Sequence, residues 1–215
     1  MNRVRVRFGR GEELKFISHL DLTRLWHRAL RRAGIALAYS EGFNPHPRIS
    51  LAAPLQIGVT SEGELMDVYT VQPVTPSDFT SLLGAEIPVG LSLLRVFNVP
   101  LNIPSLQSQV SFADYDVDVM TPEGYDIGQA ILNLMKSASI PWCHRRDTGA
   151  RDYDLRPLVI SLNLACRKDN VANIKMRLRS GAGGTGRPEQ VIMALGLDNP
   201  LSIHRTGLIL EIRNA

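Results

Sequence analysis

Arg3-Val4-Arg5-Val6-Arg7-Phe8 opens the chain with a strict alternation of arginine and apolar residues. A period of two is the spacing of a β-strand. The segment therefore predicts a strand with Val4, Val6 and Phe8 toward a core and a basic face of Arg3, Arg5 and Arg7. A helix is expected next. Ser18 has the chemistry of an N-cap, and Asp21 follows three residues on, as in a capping box. Leu22, Leu25, Trp26, Ala29, Leu30 and Ala33 recur at helical spacing and make one apolar face. Gly34 fits the position after the helix end. Arg24, His27, Arg28, Arg31 and Arg32 fall on the opposite face.

The rest of the chain continues in the same alphabet. Residues 35–63 read as loop and strand, with turn signals at Glu41-Gly42, Asn44-Pro45 and Glu62-Gly63. Glu64–Val71 reads as a strand, Thr75-Pro76-Ser77-Asp78 starts a short helix, and Leu91–Val99 reads as a strand. Strand, helix, strand, strand, helix, strand is the order of a split βαβ, or ferredoxin-like, unit. Residues 99–109 carry two prolines and no charge, which suits a connector. A second round follows: strand Asp114–Met120, helix Ile127–Ser137, strands Leu158–Ala165 and Ile174–Arg179, helix Pro188–Leu195, strand Ile203–Ile212. The expected class is thus α+β with antiparallel sheets. Residues 1–100 form one ferredoxin-like unit and residues 110–215 a second.

Composition bounds the function. With 44% apolar and 21% charged residues, the 215-residue chain reads as an ordinary globular protein. No apolar run reaches the ~18 residues of a membrane helix, and the N-terminus alternates instead of carrying a signal-peptide core, so a cytoplasmic, membrane-free protein is expected. Cys143 and Cys166 are read as reduced, partly buried thiols. Two of them cannot supply the four thiolates of a common iron–sulfur cluster.

The net charge of +3 hides a strong pattern. Residues 1–50 hold ten Lys/Arg against four Asp/Glu, residues 51–140 hold two against ten, and residues 141–215 hold twelve against seven. Two basic surfaces around an acidic middle follow. In the first block every cation except Lys15 is arginine, the residue best suited to phosphates and stacked bases.

Four groups of residues carry candidate chemistry. Arg24, Arg28 and Arg31 on the first helix suit phosphate contacts. Beside them His19, together with His46, has the residue types for acid–base cleavage of RNA. Phe43-Asn44-Pro45-His46-Pro47-Arg48 is a loop stiffened by two prolines. There Phe43 and His46 suit base stacking, while Asn44 and Arg48 suit hydrogen bonds to base edges or phosphates. The alternative for this loop is structural, with Phe43 plugging the core and Asn44 capping a turn. The run Gly181-Ala-Gly-Gly-Thr-Gly-Arg187-Pro188 places Gly183, Gly184, Gly186 and Arg187 before a helix start, as an anion site or simply a flexible connection. It is not a Walker A loop. Arg145, Arg146, Arg151 and Arg156 surround a loop with Trp142, His144 and Tyr153, a mixture that suits single-stranded nucleic acid. Asp114, Asp116 and Asp118 stand ~6.5–7 Å apart along one strand face, which fits a basic-paired face better than a metal site, and no metal is expected.

Three of these segments also carry a resemblance: Phe16-Ile-Ser-His-Leu-Asp-Leu-Thr-Arg with Tyr39-Ser-Glu-Gly-Phe-Asn-Pro-His-Pro-Arg48, then Asp154-Leu-Arg-Pro157, then Gly181–Gln190. Together they resemble the radical-SAM-linked family of uncharacterised proteins, found beside or fused to cobalamin-binding radical SAM enzymes. The resemblance implies a context and no reaction. It implies a radical SAM partner protein that carries the iron–sulfur cluster and S-adenosylmethionine, with no cofactor on this chain. Joined to the basic surfaces, it predicts a non-catalytic accessory module that binds a structured RNA. A protein-binding scaffold for the partner and a metal-independent RNA endonuclease are the alternatives.

Overall fold

The alternating segment forms β1 (Asn2–Arg10), and Ser18 caps α1 (His19–Arg32) by accepting the Asp21 amide. The computed structural model describes residues 1–146 and 149–211, with no side-chain description for His144, Arg145 and Arg146. Further along lie β2 (Ile49–Leu51), β3 (Thr60–Thr70), α2 (Pro76–Gly84), β4 (Leu91–Val99) and the short α3 (Leu106–Gln109). Then come β5 (Val110–Met120), α4 (Ile127–Lys136), β6 (Pro141–Arg146), β7 (Gly149–Asp154), β8 (Val159–Lys168), β9 (Val171–Arg179), α5 (Pro188–Ala194) and β10 (Ser202–Leu210). The protein is α+β, and every strand pairing whose register is described is antiparallel. It divides into two compact units, Met1–Val110 with the C-terminal end from Leu210, and Ser111–Ile209.

In the first unit the strands run in the order β4-β1-β3, with β2 on β3. Val4 pairs with Val68 and Val6 with Met66, so these apolar positions share one face. Val4, Val6, Phe8, Met66 and Val68 are wholly buried there, in one cluster with Leu22, Trp26 and Leu30 of α1 and Phe79 and Leu83 of α2. Each such side chain contributes about 1.5–3 kcal/mol by leaving water. Phe8 and Trp26 meet edge to face at 4.9 Å between centroids. α1 ends in a Schellman turn: the Ile35 amide donates to Leu30 and the Gly34 amide to Arg31. Gly34 makes this possible with φ of +67°, a conformation that costs glycine little.

The second unit repeats the strand order as β10-β5-β9-β8. β5 buries Ala113, Tyr115, Val117 and Val119, and β9 buries Ala172, Ile174, Met176 and Leu178. Ile131 and Leu134 of α4 and Val191 and Ile192 of α5 are buried as well. The Tyr125 hydroxyl donates to the Leu195 carbonyl and ties the loop before α4 to the end of α5.

Local patterning missed three features. Pro141–Arg146 and Gly149–Asp154 pair as strands β6 and β7 instead of lying in a loop, with Trp142 opposite Tyr153. The 99–109 connector contains α3. Cys143 and Cys166 are exposed cysteines outside any disulfide, not partly buried ones. Ile212, the expected last residue of the final strand, lies outside the described residues.

The largest correction concerns β1. Arg3 and Arg5 do not form an exposed basic face; both are buried, as is Asp67 on β3. Arg3 Nε donates to Asp67 at 2.7 Å, and Arg5 donates twice, at 2.7 and 3.1 Å. The rest of the Arg3 fork donates to the Ile103 and Pro104 carbonyls, and Arg5 also reaches Gln109 Oε1 at 3.4 Å. The residue 103–109 segment covers this face of the sheet, so the two arginines need internal acceptors, because an unpaired buried charge is costly. Arg7 alone of the three remains exposed.

Candidate nucleic-acid interface

α1 buries Leu22, Trp26, Ala29 and Leu30, and this fixes which residues face outward. Arg24, Arg28 and Arg31 lie at i, i+4 and i+7, so they form one exposed stripe. At 1.5 Å per residue they stand about 6 and about 4.5 Å apart along the axis. His27 lies half-buried beside them.

The chain after α1 closes the other side. Tyr39 bridges to Pro47, the Ser40 amide donates to the His46 carbonyl at 2.9 Å, and the Arg48 amide donates to Ala38 at 2.7 Å. The His46 amide also donates to Ser40 Oγ at 3.0 Å. Residues 38–48 are thus a narrow, backbone-bonded loop with Gly42, at φ of +121°, in its tip. The stripe and the loop enclose a cleft of ≈ 330 Å³ lined by Arg24, His27, Arg28, Arg31, Tyr39 and Pro47, with Leu37 at its edge.

The charges in this cleft are unevenly compensated. Arg24 forms an exposed pair with Asp21 at 3.1 Å. The Ser18 hydroxyl, with help from Arg24, holds the Asp21 carboxyl below the ordinary carboxylate value. Among the described residues Arg28 and Arg31 form no close ion pair, and Arg28 acts on Asp21 only at longer range. Arg32, one residue on, points to Glu86 instead, at 2.8 Å. Burial, reinforced by the charge of His46, lowers the His27 pKa below the ordinary imidazole value. His27 Nε2 is buried without a hydrogen-bond partner. A neutral ring nitrogen and unpaired guanidiniums in one cleft suit an anionic ligand with hydrogen-bonding groups.

The tip of the loop is presented, not packed. Phe43 is fully exposed at 108% relative accessibility, so it does not plug the core, and Asn44 and His46 are exposed as well. Arg48 is exposed but anchored: its guanidinium lies 4.7 Å from the Tyr69 ring centroid and contacts the Met1 sulfur at 3.4 Å. The electrostatic neighbour of His46 is His27. His19 starts α1, away from the cleft lining, with Nδ1 buried and unpartnered. The two histidines of the cleavage alternative are therefore not brought together at the cleft.

The remaining candidates lie in the second unit. Arg156 is half-buried and donates to the Val159 and Met135 carbonyls at 2.8 and 2.9 Å, so its fork is used inside the second unit. Within the Gly183–Gly186 run Gly186 is buried, Gly184 half-buried, and Gly183 and Thr185 exposed. A Cβ on Gly186 would stand 3.1 Å from both the Leu158 carbonyl and Leu178 Cβ, and one on Gly184 2.8 Å from the Leu158 side chain. Close approach of backbone thus favours glycine at Gly186, and a φ of +109° favours it at Gly184. Arg187 is half-buried at the N-cap of the seven-residue α5 and makes no side-chain cap bond. Asp114, Asp116 and Asp118 are paired across β5 and β9 with Arg177, Lys175 and Asn173. Among the described residues no group of three His, Cys, Asp or Glu is placed to hold a metal.

Tyr39 and Pro47 were not singled out from sequence as cleft residues. The signal for them is the return of the chain upon itself, carried by Ser40 and His46, which no local periodicity reveals.

The fold is similar to that of a chain in the structure of an H/ACA RNP bound to a substrate RNA containing 2′-deoxyuridine. The TM-score is 0.51 at 10% identity, over 95% of this chain and 47% of that one. A chain in the crystal structure of a Cbf5-Nop10-Gar1 complex is similar with TM-score 0.50 and 10% identity, over 96% and 48% of the two chains. The protein therefore spans about half the length of these structural relatives, and at such identity the likeness is one of fold. No curated protein matches the chain by sequence. Residues 3–188 match the family described as "Uncharacterized protein conserved in bacteria (DUF2344)", and the chain belongs to that family.

Proposed function

We propose that this chain is an RNA-binding accessory module with no reaction of its own, working beside a radical SAM protein that carries the cluster and S-adenosylmethionine. The observation that carries the RNA reading is the cleft of unpaired Arg28 and Arg31 with Arg24, His27 and Tyr39, next to an exposed Phe43. Arginines about 6 and 4.5 Å apart along a helix contact successive phosphates, and the exposed rings of Tyr39 and Phe43 offer stacking surfaces to unpaired bases. The two units are read as ferredoxin-like, from the repeated order of elements and of antiparallel strands. The first runs over residues 1–100 and the second over 110–215. The two structural relatives come from an H/ACA RNP bound to a substrate RNA and from a Cbf5-Nop10-Gar1 complex, which agrees with an RNA partner. The radical SAM partner rests on the resemblance of the Phe16–Arg48, Asp154–Pro157 and Gly181–Gln190 segments.

Fluorescence anisotropy of the full chain with labelled tRNA and duplex DNA, each over a salt series, tests the reading. The expected result is preferential RNA affinity that falls steeply with salt, and about a 100-fold loss in R24Q/R28Q/R31Q. Absence of RNA binding at low salt, or an unchanged affinity in that variant, overturns it.

A further inference from the structure

The face of the first unit's sheet turned away from α1 and α2 carries an excess of positive charge. Register places Arg5 opposite Asp67 and Arg7 opposite Leu65 on β3, and Arg5 opposite Phe97 and Arg7 opposite Arg95 on β4. This face therefore gathers Arg3, Arg5, Arg7 and Arg95 around one carboxylate, Asp67. That carboxylate is already shared by Arg3 and Arg5, so the buried triad is itself left with one net positive charge. Carbonyl and amide oxygens of the residue 103–109 segment and the Tyr69 ring, 5.9 Å from the Arg3 guanidinium, offset it in part.

Arg7 and Arg95 are exposed and directly opposite each other on neighbouring strands. Side chains so placed have Cβ atoms about 4.5–5.5 Å apart, and like charges there repel. Neither residue has an ion-pair partner among the described residues. Arg95 lies over the ring of Phe97, 5.5 Å from its centroid. Two exposed arginines at opposed strand positions without an acid between them suit an anion supplied from outside. Two arginine forks can each give two parallel N–H donors to tetrahedral oxyanions.

We propose that Arg7 and Arg95, with Phe97 as their platform, form a phosphoryl-binding clamp on the open side of β1 and β4. This site is separate from the α1 cleft, because α1 packs on the Val4–Val6–Phe8 face of the same strands. Its ligand is a phosphate group, either on a nucleic-acid backbone or on a small phosphorylated molecule.

Thermal unfolding of the full chain in low-salt buffer, with sodium pyrophosphate or with sodium chloride at equal ionic strength, tests the clamp in wild type, R95Q and R7Q/R95Q. Without phosphate, R95Q is expected to unfold no lower than wild type, since it removes repulsion. Pyrophosphate is expected to raise the wild-type midpoint beyond the chloride control and to lose that effect in R7Q/R95Q. An equal pyrophosphate shift in wild type and R7Q/R95Q overturns the clamp. R24Q/R28Q/R31Q keeps the pyrophosphate shift, so loss of the α1 cleft and loss of the clamp are distinguishable. A labelled twelve-nucleotide oligouridylate separates the two sources. About tenfold weaker binding to R7Q/R95Q, with a salt slope smaller by about one to two, assigns the site to backbone phosphates. Unchanged binding beside a lost pyrophosphate shift assigns it to a small phosphorylated ligand.

Discussion

β1 in the first unit and β5 in the second hold the same place in the same strand order, yet they solve charge in opposite ways. β5 carries Asp114, Asp116 and Asp118, and β9 answers position by position with Arg177, Lys175 and Asn173. Arg179, opposite Phe112, adds a third cation, lying 5.5 Å from the ring centroid. That face balances in charge, and its pairs are partly open to water. β1 carries Arg3, Arg5 and Arg7, and β3 answers with Asp67 alone. Two of the three arginines are then buried and the third faces Arg95. Balanced ladders stabilise a sheet modestly.

The largest expected effect tests the buried side of this contrast. Asp67→Asn leaves Arg3 and Arg5 buried without a counter-charge and is expected to cost about 3–5 kcal/mol in urea unfolding. Asp114→Asn in the second unit breaks a half-exposed pair with Arg177 and is expected to cost about 0–1 kcal/mol. Equal costs break the comparison. A smaller effect sharpens what the units share. α5 ends as α1 does, with the Leu197 amide donating to Ile192 and the Gly196 amide to Met193. Gly34→Ala and Gly196→Ala introduce no clash within 4 Å, so each is expected to cost about 1 kcal/mol from the positive φ alone.

The smallest expected effect is a pH dependence confined to the first unit. The folded His27 pKa lies below the ordinary 6.5, which the unfolded chain keeps, so below that pH the unfolded state binds the proton first. Stability is then lost as pH falls through 6.5 toward the folded value. His27→Gln is expected to flatten that loss in urea midpoints measured between about pH 8 and about pH 5. A profile identical to wild type contradicts the assignment.

Most of the fold was readable because its signals are local. Alternation placed β1, the Ser18-to-Asp21 spacing placed the start of α1, and Pro76 and Pro188 stand in the first turns of α2 and α5. The fate of Arg3 and Arg5 was not readable, since Asp67 lies 64 and 62 residues away and sits within an apolar strand. The β6–β7 pairing was missed because the charged and aromatic residues of the two strands give no clean period, and their register is set by partners on the other strand. In the cleft, the Arg24–Arg28–Arg31 stripe follows from helical spacing. The wall of Tyr39 and Pro47 follows only from the backbone bonds that fold the loop back.

The most direct test of the account is the salt dependence of tRNA affinity for wild type, for R24Q/R28Q/R31Q in the first unit and for K175Q/R177Q in the second. The account predicts that the first variant loses about two to three units of salt slope while the second matches wild type, because Lys175 and Arg177 are already paired with Asp116 and Asp114. Equal losses in both variants would contradict it, by showing that net charge alone, and not the uncompensated surface of the first unit, governs the interaction.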